Sequence, residues 1–365
     1  LTATALASIA LVALTACSSP APEPVATVVA SDYDAATLEA LGGDANAAYL
    51  DELYQKAVAA GQKTITVYGI TATSSASLYA AFSKRYPEIT VNHVTVFGAE
   101  LQSKIAAEQA TGKYVADNVS VSGADASFVV DNDYVEKIDV PAAADLDKRY
   151  KPAGDTLFGG NTYIYTVSYN TDLVKEADAP TTFAELADPA LAGKIGIVDP
   201  KIGMTGFIAA GIDDGKVKES YIDKIKALNP VIFPSERDLF TAVSTGQIEY
   251  GIGNYVRGEA FLKVDNLPVG FVPLFKDGVA DGVFYRGTVK NAPNALASDL
   301  LVNWWLTPEA QNLISIQGQY GLMPGAPAVP GQPPFEELTI NPGPKFADFG
   351  PYLTKYNDMF KKHFG

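Results

Sequence analysis

Two apolar rhythms alternate along this chain, one with a period of two residues and one with a period near 3.6. Residues 49–60 (YLDELYQKAVAA) place Leu50, Leu53, Tyr54 and Ala57 on one face, which predicts an amphipathic helix ended by Gly61. Residues 64–68 (TITVY) predict a short β-branched strand. Residues 74–86 predict a helix, with Leu78 and Phe82 four apart and Pro87 as the stop. A second strand over 89–96, a second helix over 101–111 carrying Leu101 and Ile105, and a third strand over 118–122 follow. Strands that alternate with helices predict parallel pairing in an α/β sheet.

Residues 162–169 (TYIYTVSY) alternate over a longer span and lead into the turn Asn170-Thr171. A second α/β unit is predicted beyond it. Its strands lie at 195–198, 231–233 and 248–252, and its helices at 216–228 and 238–244. Thr205 opens a further apolar helix that begins Phe207-Ile208. Residues 269–273 and 283–289 read as apolar strands and 296–305 as a helix. The stretch 323–344 is rich in Pro and Gly, and a short helix over 352–363 closes the chain.

The N-terminus has a different pattern. Residues 1–16 form an apolar run closed by Leu14-Thr15-Ala16-Cys17, which reads as the h-region and cleavage site of a secretory signal. The run is too short to span a bilayer, which takes about 20 apolar residues. Its last four residues match a bacterial lipobox, so Cys17 is expected to carry a lipid. No initiator Met or charged n-region precedes it, so the sequence is expected to begin inside a precursor. The Ser-, Pro- and Ala-rich residues 18–30 (SSPAPEPVATVVA) read as a tether.

Composition narrows the chemistry. The chain has 27 Lys+Arg against 42 Asp+Glu, a formal charge of −15, which argues against nucleic acid as a partner. Cys17 is the only cysteine and there are 2 histidines, His93 and His363. Disulfides, thiolate metal sites, His-rich zinc sites and a Ser-His-Asp triad are therefore hard to build. Acid pairs such as Asp213-Asp214 raise a secreted hydrolase of phosphorylated or glycosidic substrates as an alternative. Adjacent carboxylates do not converge across a substrate, however, and no nucleophile elbow or phosphate-cradling glycine loop is present. A surface adhesin is a third option.

Several segments, taken in order, resemble bacterial extracellular solute-binding proteins of ABC importers, of the ferric-ion-binding type. Ala57-Val58-Ala59-Ala60-Gly61 before Ile65-Thr66-Val67-Tyr68 resembles the family's opening. Phe82-Ser83-Lys84-Arg85-Tyr86-Pro87-Glu88-Ile89 resembles its "aFekkyPgI". Glu100-Leu101, Lys104-Ile105, Glu108, Gly112 and Ala116-Asp117 resemble its "gEL..rI..E...G...AD". Tyr169-Asn170-Thr171, Phe183 through Lys194 (FAELADPALAGK) and Thr307-Pro308-Glu309-Ala310-Gln311 resemble its "YNT", "tfaDLadPkwkGK" and "spEgQ".

The resemblance implies an α/β, two-lobed type II periplasmic-binding-protein fold with hinge strands between the lobes. The expected division is signal peptide 1–16, lipid-anchored tether 17–45, first part of lobe 1 at 46–165 and lobe 2 at 166–272. The return to lobe 1 then covers 273–325, and a Pro/Gly-rich tail with a terminal helix covers 326–365. The outward crossover is placed near 162–169 and the return near 269–274. The resemblance also implies a non-enzymatic, monomeric, exported lipoprotein that closes on a small ligand and docks on a membrane permease.

Ligands of open α/β sheets sit beyond the carboxyl ends of strands, where helix N-termini favour anions. The candidates at such places are Thr71, Thr73, Ser74 and Ser75 after the first strand, Ser122 after the third, Thr205 and Gly206 after residues 195–198, and Ser235. Each hydroxyl can instead simply cap its helix, and for Ser235 the cap is the favoured reading. Tyr255 and Arg257 complete the set. Arg257 is read either as a fork for carboxylate or phosphate or as a surface ion-pairing residue. Ferric binders resembling this chain carry adjacent tyrosines where it has Tyr255-Val256, which turns the expectation toward an oxyanion (phosphonate, sugar phosphate or carboxylate). No cofactor is expected. Iron(III) or an iron complex is kept as possible cargo, with Tyr255 as its ligand.

Overall fold

The chain enters through helix α1 (Ala35–Ala40) and helix α2 (Asp44–Ala59), then alternates as the rhythm predicts: β1 (Thr64–Gly69), α3 (Ala72–Arg85), β2 (Thr90–Thr95), α4 (Gly98–Thr111), β3 (Asn118–Val121) and α5 (Gly123–Asp131). The computed structural model describes residues 33–70, 72–199, 206–257, 262, 266–341, 343–344 and 348–364, with residues 72–74 described in backbone only. Helix α1 lies inside the stretch expected to be tether. Asp34 caps it by accepting from the Thr37 amide at 2.8 Å, Leu41 is fully buried and the Tyr33 hydroxyl donates to Asp51 at 2.8 Å. Ordered structure therefore begins ahead of residue 46, because Leu41 has a core to enter.

Alternation along β1 sends its side chains into two layers. Ile65 and Val67 join Leu50, Leu53, Leu78 and Phe82 on one face, while Tyr68 joins Leu101, Ile105 and Val119 on the other. β1 pairs in parallel with β2 and β3. Asp117, just before β3, is fully buried, and its carboxylate accepts from the backbone amides of Thr66 and Asn294, each at 2.7 Å.

Strand β4 (Phe158–Asn170) then leaves this lobe. The second lobe contains α6 (Phe183–Leu186), β5 (Ile195–Val198), α7 (Gly206–Asp213), α8 (Tyr221–Ala227), β6 (Val231–Phe233), α9 (Glu236–Ser244), β7 (Tyr250–Tyr255) and β8 (Val269–Phe271). The helix predicted over 216–228 is shorter, because residues 214–220 form turns. Phe183, Phe207 and Phe275 pack with ring centroids 5.1–5.2 Å apart at the centre of this lobe. The chain returns through β9 (Val279–Thr288) to α10 (Ala295–Trp305), α11 (Pro308–Ile316), β10 (Tyr320–Gly321), β11 (Ile340–Asn341) and the terminal α12 (Phe349–Phe364).

One sheet path runs β2-β1-β3-β9-β4-β7-β5-β6. β4 joins the lobes: its first half pairs antiparallel with β9, and Tyr165 through Tyr169 pair antiparallel with β7. The return crossover differs from expectation. Residues 269–271 form β8, which pairs with the far end of β4 (Ser168↔Phe271) and stays in lobe 2. The strand that crosses back is β9, which faces Tyr165 at Ala280 and Val121 of lobe 1 at Tyr285. Two apolar strands lay close together in sequence, and only the pairing reveals which one spans the lobes.

Candidate functional site

The directions of the strands locate the site. β9 enters lobe 1 antiparallel to β3, so the carboxyl ends of β3 and its parallel neighbour β1 point back toward lobe 2. In lobe 2, β7 runs antiparallel to β4 and parallel to β5, which is itself parallel to β6; their carboxyl ends point toward lobe 1. Helices α3, α5, α7 and α9 therefore all begin at the cleft between the lobes, where their free amide groups favour negative charge.

At the lobe 1 edge, Gly69 pairs with Ser120 so closely that a Cβ at residue 69 would lie 2.3 Å from the Ser120 carbonyl oxygen. Ser122 stands at the N-cap of α5 in extended conformation, and its side chain makes no capping hydrogen bond. Ser75 is buried in the first turn of α3. Asp125 turns its carboxylate to the start of α4, accepting from the Gly98 amide at 2.7 Å and from Gln102 at 2.9 Å, so that helix end is already neutralised. A pocket of about 190 Å³ opens here, lined by Ile70, Phe97, Gln102, Ser120, Ser122 and Asp125. A larger hollow of about 700 Å³ beside α1 and α11 includes no strand-end residue and lies apart from the site.

At the lobe 2 edge, Gly206 is the first residue of α7 and is exposed. Ser235 caps α9, its hydroxyl accepting from the Asp238 amide at 3.1 Å. The fork of Arg257 meets Glu236, with Nη1 to Oε1 at 3.0 Å and Nη2 to Oε2 at 2.9 Å. Phe240 and Tyr255 lie 3.6 and 4.1 Å from its guanidinium carbon. The two-point contact expected toward an anion is thus made to a protein carboxylate, because α9 presents Glu236 to the end of β7. Glu236 also accepts from Asn254 Nδ2 at 2.9 Å and from the Tyr255 amide at 3.3 Å. Thr71, Thr205 and Cys17 lie outside the described residues, and for Thr73 and Ser74 only the backbone is described.

Tertiary pairing supplies the neighbour that Tyr255 lacks in sequence. Val256 is buried, but Tyr255 stands opposite Tyr165 in the β4–β7 ladder, and the Tyr163 ring centroid lies 4.6 Å from its own. Tyr165 at 6.2 Å from Tyr255, and Phe284 at 5.6 Å from Tyr163, complete an aromatic cluster where the crossover strands meet. Burial raises the Tyr255 hydroxyl above its ordinary pKa, and the Arg257 charge partly offsets this. Burial raises Tyr165 as well. Both are therefore neutral hydrogen-bonding groups near pH 7. The alternation in residues 162–169 put Tyr163 and Tyr165 on one face, but nothing local in the sequence linked that face to Tyr255.

Other polar groups are committed to structure. His93 stacks on Tyr79 and is pushed down to about 4, by burial first and then by the Arg286 charge, so it is neutral at pH 7. Asp213 accepts from the Tyr356 hydroxyl at 2.8 Å, and Asp214 pairs with Lys216 at 3.3 Å, so this acid pair is divided between separate structural contacts. Among the described residues, no group of three or more His, Cys, Asp or Glu is gathered as a metal site.

Two α/β lobes joined by β4 and β9, with strand ends and helix N-termini facing one another, define a two-lobed binding protein that holds its ligand between the lobes. A family model described as bacterial extracellular solute-binding protein matches residues 77–343, and the chain belongs to that family. Members serve ABC importers and are exported. Solved structures agree on the fold. Iron-bound HitA from Pseudomonas aeruginosa is 21% identical with a TM-score of 0.68, the match covering 83% of this chain and 100% of that one. AfuA from Actinobacillus pleuropneumoniae, with exogenous fructose-6-phosphate bound, is 19% identical with a TM-score of 0.65, covering 82% and 99%. Trichodesmium IdiA (FutA), in complex with iron and citrate, is 18% identical with a TM-score of 0.63, covering 82% and 99%. No curated protein matches the sequence. Among the described residues, no helix is long and apolar enough to cross a membrane.

Proposed function

We propose that this protein captures a small organic oxyanion, a phosphorylated molecule, phosphonate or carboxylate, and delivers it unchanged to an ABC permease. The observation that carries the reading is the set of helix N-termini, α3 and α5 from lobe 1 and α7 from lobe 2, that open at facing strand ends; α9 also begins there, but Ser235 caps it and its first turn carries Glu236 and Asp238. The Ser122 hydroxyl is unspent on capping, and the half-buried tyrosines offer a floor of rings and neutral hydroxyls. Arg257 acts through Tyr255, whose ring it holds, and does not itself grip the ligand. Closure about β4 and β9 is the motion expected to trap the ligand.

One observation favours a second reading. The proximity of Tyr163 to Tyr255 restores a tyrosine pair, and with it direct binding of Fe(III) as cargo. The raised pKa of Tyr255 opposes this, because a phenolate must form first. Thermal-shift titration separates the two readings. A sugar phosphate or phosphonate present at 100 times its Kd should stabilise the protein by about 2.7 kcal/mol. Ferric nitrilotriacetate should give no phenolate-to-iron colour. A red band that disappears in Tyr255→Phe would replace the oxyanion with iron, and a cleaved phosphate ester would make the protein an enzyme.

Cys17 is proposed to carry a lipid that holds a monomer at the extracytoplasmic face of the membrane. Expressed from the full precursor, Cys17→Ser should move from the membrane fraction to the soluble fraction while keeping ligand affinity. Retention of that variant in washed membranes would refute the anchor.

A further inference from the structure

Helix α12 touches both lobes, meeting α5 of lobe 1 and α8 of lobe 2. Its 16 residues make a rod of about 24 Å, long enough to cross between them. It is fixed firmly at one end. Tyr356 and Phe360 are buried in the core of lobe 2, and the Tyr356 hydroxyl donates to Asp213. His363 lies between Glu219 at 3.0 Å and Asp223 at 2.6 Å, and Lys362 reaches Glu219 at 3.0 Å.

The other end is held differently. Phe349, the first residue of α12, packs on Gly123 at the start of α5, where a Cβ would lie 2.6 Å from its ring. Gly123 also has φ +54°, a conformation that suits glycine, so both backbone and space reserve this position for it. Phe349 is half-buried, and separating it from Gly123 strands no charge and no hydrogen bond. The asymmetry is that of a hinged latch: a bonded, buried anchor on lobe 2 and a breakable apolar tip on lobe 1. The tip rests beside Ser122, at a helix N-terminus that opens into the cleft. The family match ends at residue 343, ahead of this helix.

We propose that α12 is an interlobe latch, a non-covalent contact added to the chain crossings between the lobes, whose Phe349–Gly123 contact sets how far the cleft opens. This does not depend on which ligand the cleft takes. The test uses the full chain with Cys17→Ser and spin labels on Lys84→Cys and Lys175→Cys, which are exposed positions on lobe 1 and lobe 2. Pulsed dipolar measurements are made without ligand. Phe349→Ala and Phe349→Glu should both move the interlabel distances to longer values, and Phe349→Leu should return most of the original distribution. Melting temperature should stay unchanged in all three, because the anchor is untouched. Distances in Phe349→Ala that equal those of the parent, or that shorten, would overturn the latch. Since no ligand is present, neither result bears on the oxyanion reading.

Discussion

Replacing Glu236 by alanine is expected to lower the unfolding free energy by about 3–5 kcal/mol, the usual loss when one partner of a buried ion pair is removed. The side chains of Arg257 and Glu236 are only 9% and 12% exposed, so water does little to screen the pair. In Glu236→Ala the guanidinium remains wedged between Phe240 and Tyr255 without the Glu236 carboxylate, the Tyr255 amide loses its side-chain acceptor, and Asn254 keeps only its longer bond to the backbone carbonyl of residue 236 at 3.3 Å. Because that acceptor also fixes the end of β7, ligand affinity should fall with stability. Glu236→Gln should cost less, since it keeps one acceptor oxygen. The double change Glu236→Leu with Arg257→Met should recover much of the loss, because it leaves no unpaired charge. Urea denaturation of the four proteins checks the ordering. A loss below about 1 kcal/mol in Glu236→Ala, the range of exposed pairs, would show that the pair is solvated.

The second large effect is expected at Trp305. Truncating a buried tryptophan to alanine costs about 3–5 kcal/mol through lost transfer energy and the cavity left behind. Here a second penalty adds to it. The Trp305 ring lies 3.4 Å from the guanidinium carbon of Arg286, a fully buried cation with no carboxylate partner among the described residues. Its hydrogen bond goes to the Tyr79 hydroxyl at 3.0 Å. The indole also donates to Asn161 Oδ1 at 3.1 Å and fills the space left by Gly160, where a Cβ would lie 2.3 Å from its ring. Trp305→Phe should be markedly milder than Trp305→Ala, because a ring still faces Arg286. Equal losses for the two variants in thermal and urea unfolding would refute this ordering, since Trp305→Phe both keeps a ring on Arg286 and leaves the smaller cavity. Arg286 lies on β9, so the damage should reach the hinge, and hydrogen exchange should rise first along β4 and β9.

Local chemistry made much of the fold legible. The pattern of residues 64–68, 74–86 and 118–122 depends only on each residue's neighbours, and β1, α3 and β3 form there within a few positions. Strand–helix alternation implied the parallel pairing seen among β1, β2 and β3 and among β5, β6 and β7. The quoted motifs, taken in order, identified the family. Helix α5 is not legible in the sequence because its short GADASFVVD run has no clear 3.6-residue apolar spacing. The tether reading overran α1 because residues 35–41 acquire meaning only once Leu41 has a core to enter.

The candidate site was legible at its edges and hidden at its centre. Ser122 and Ser235 could be placed because a serine between a strand and a helix marks a helix start in any fold. By itself, the sequence determined the order of the elements, the helix starts, the acidic character and the shortage of histidine and cysteine, all of which are local or compositional properties. Only the tertiary structure decided that Tyr163 stands by Tyr255, that Arg257 is taken by Glu236, that β9 and not β8 is the returning hinge, and that Phe349 reaches Gly123. Each of these depends on which distant segments meet, and that is set by the pairing and burial of the whole sheet, to which local periodicity carries no pointer.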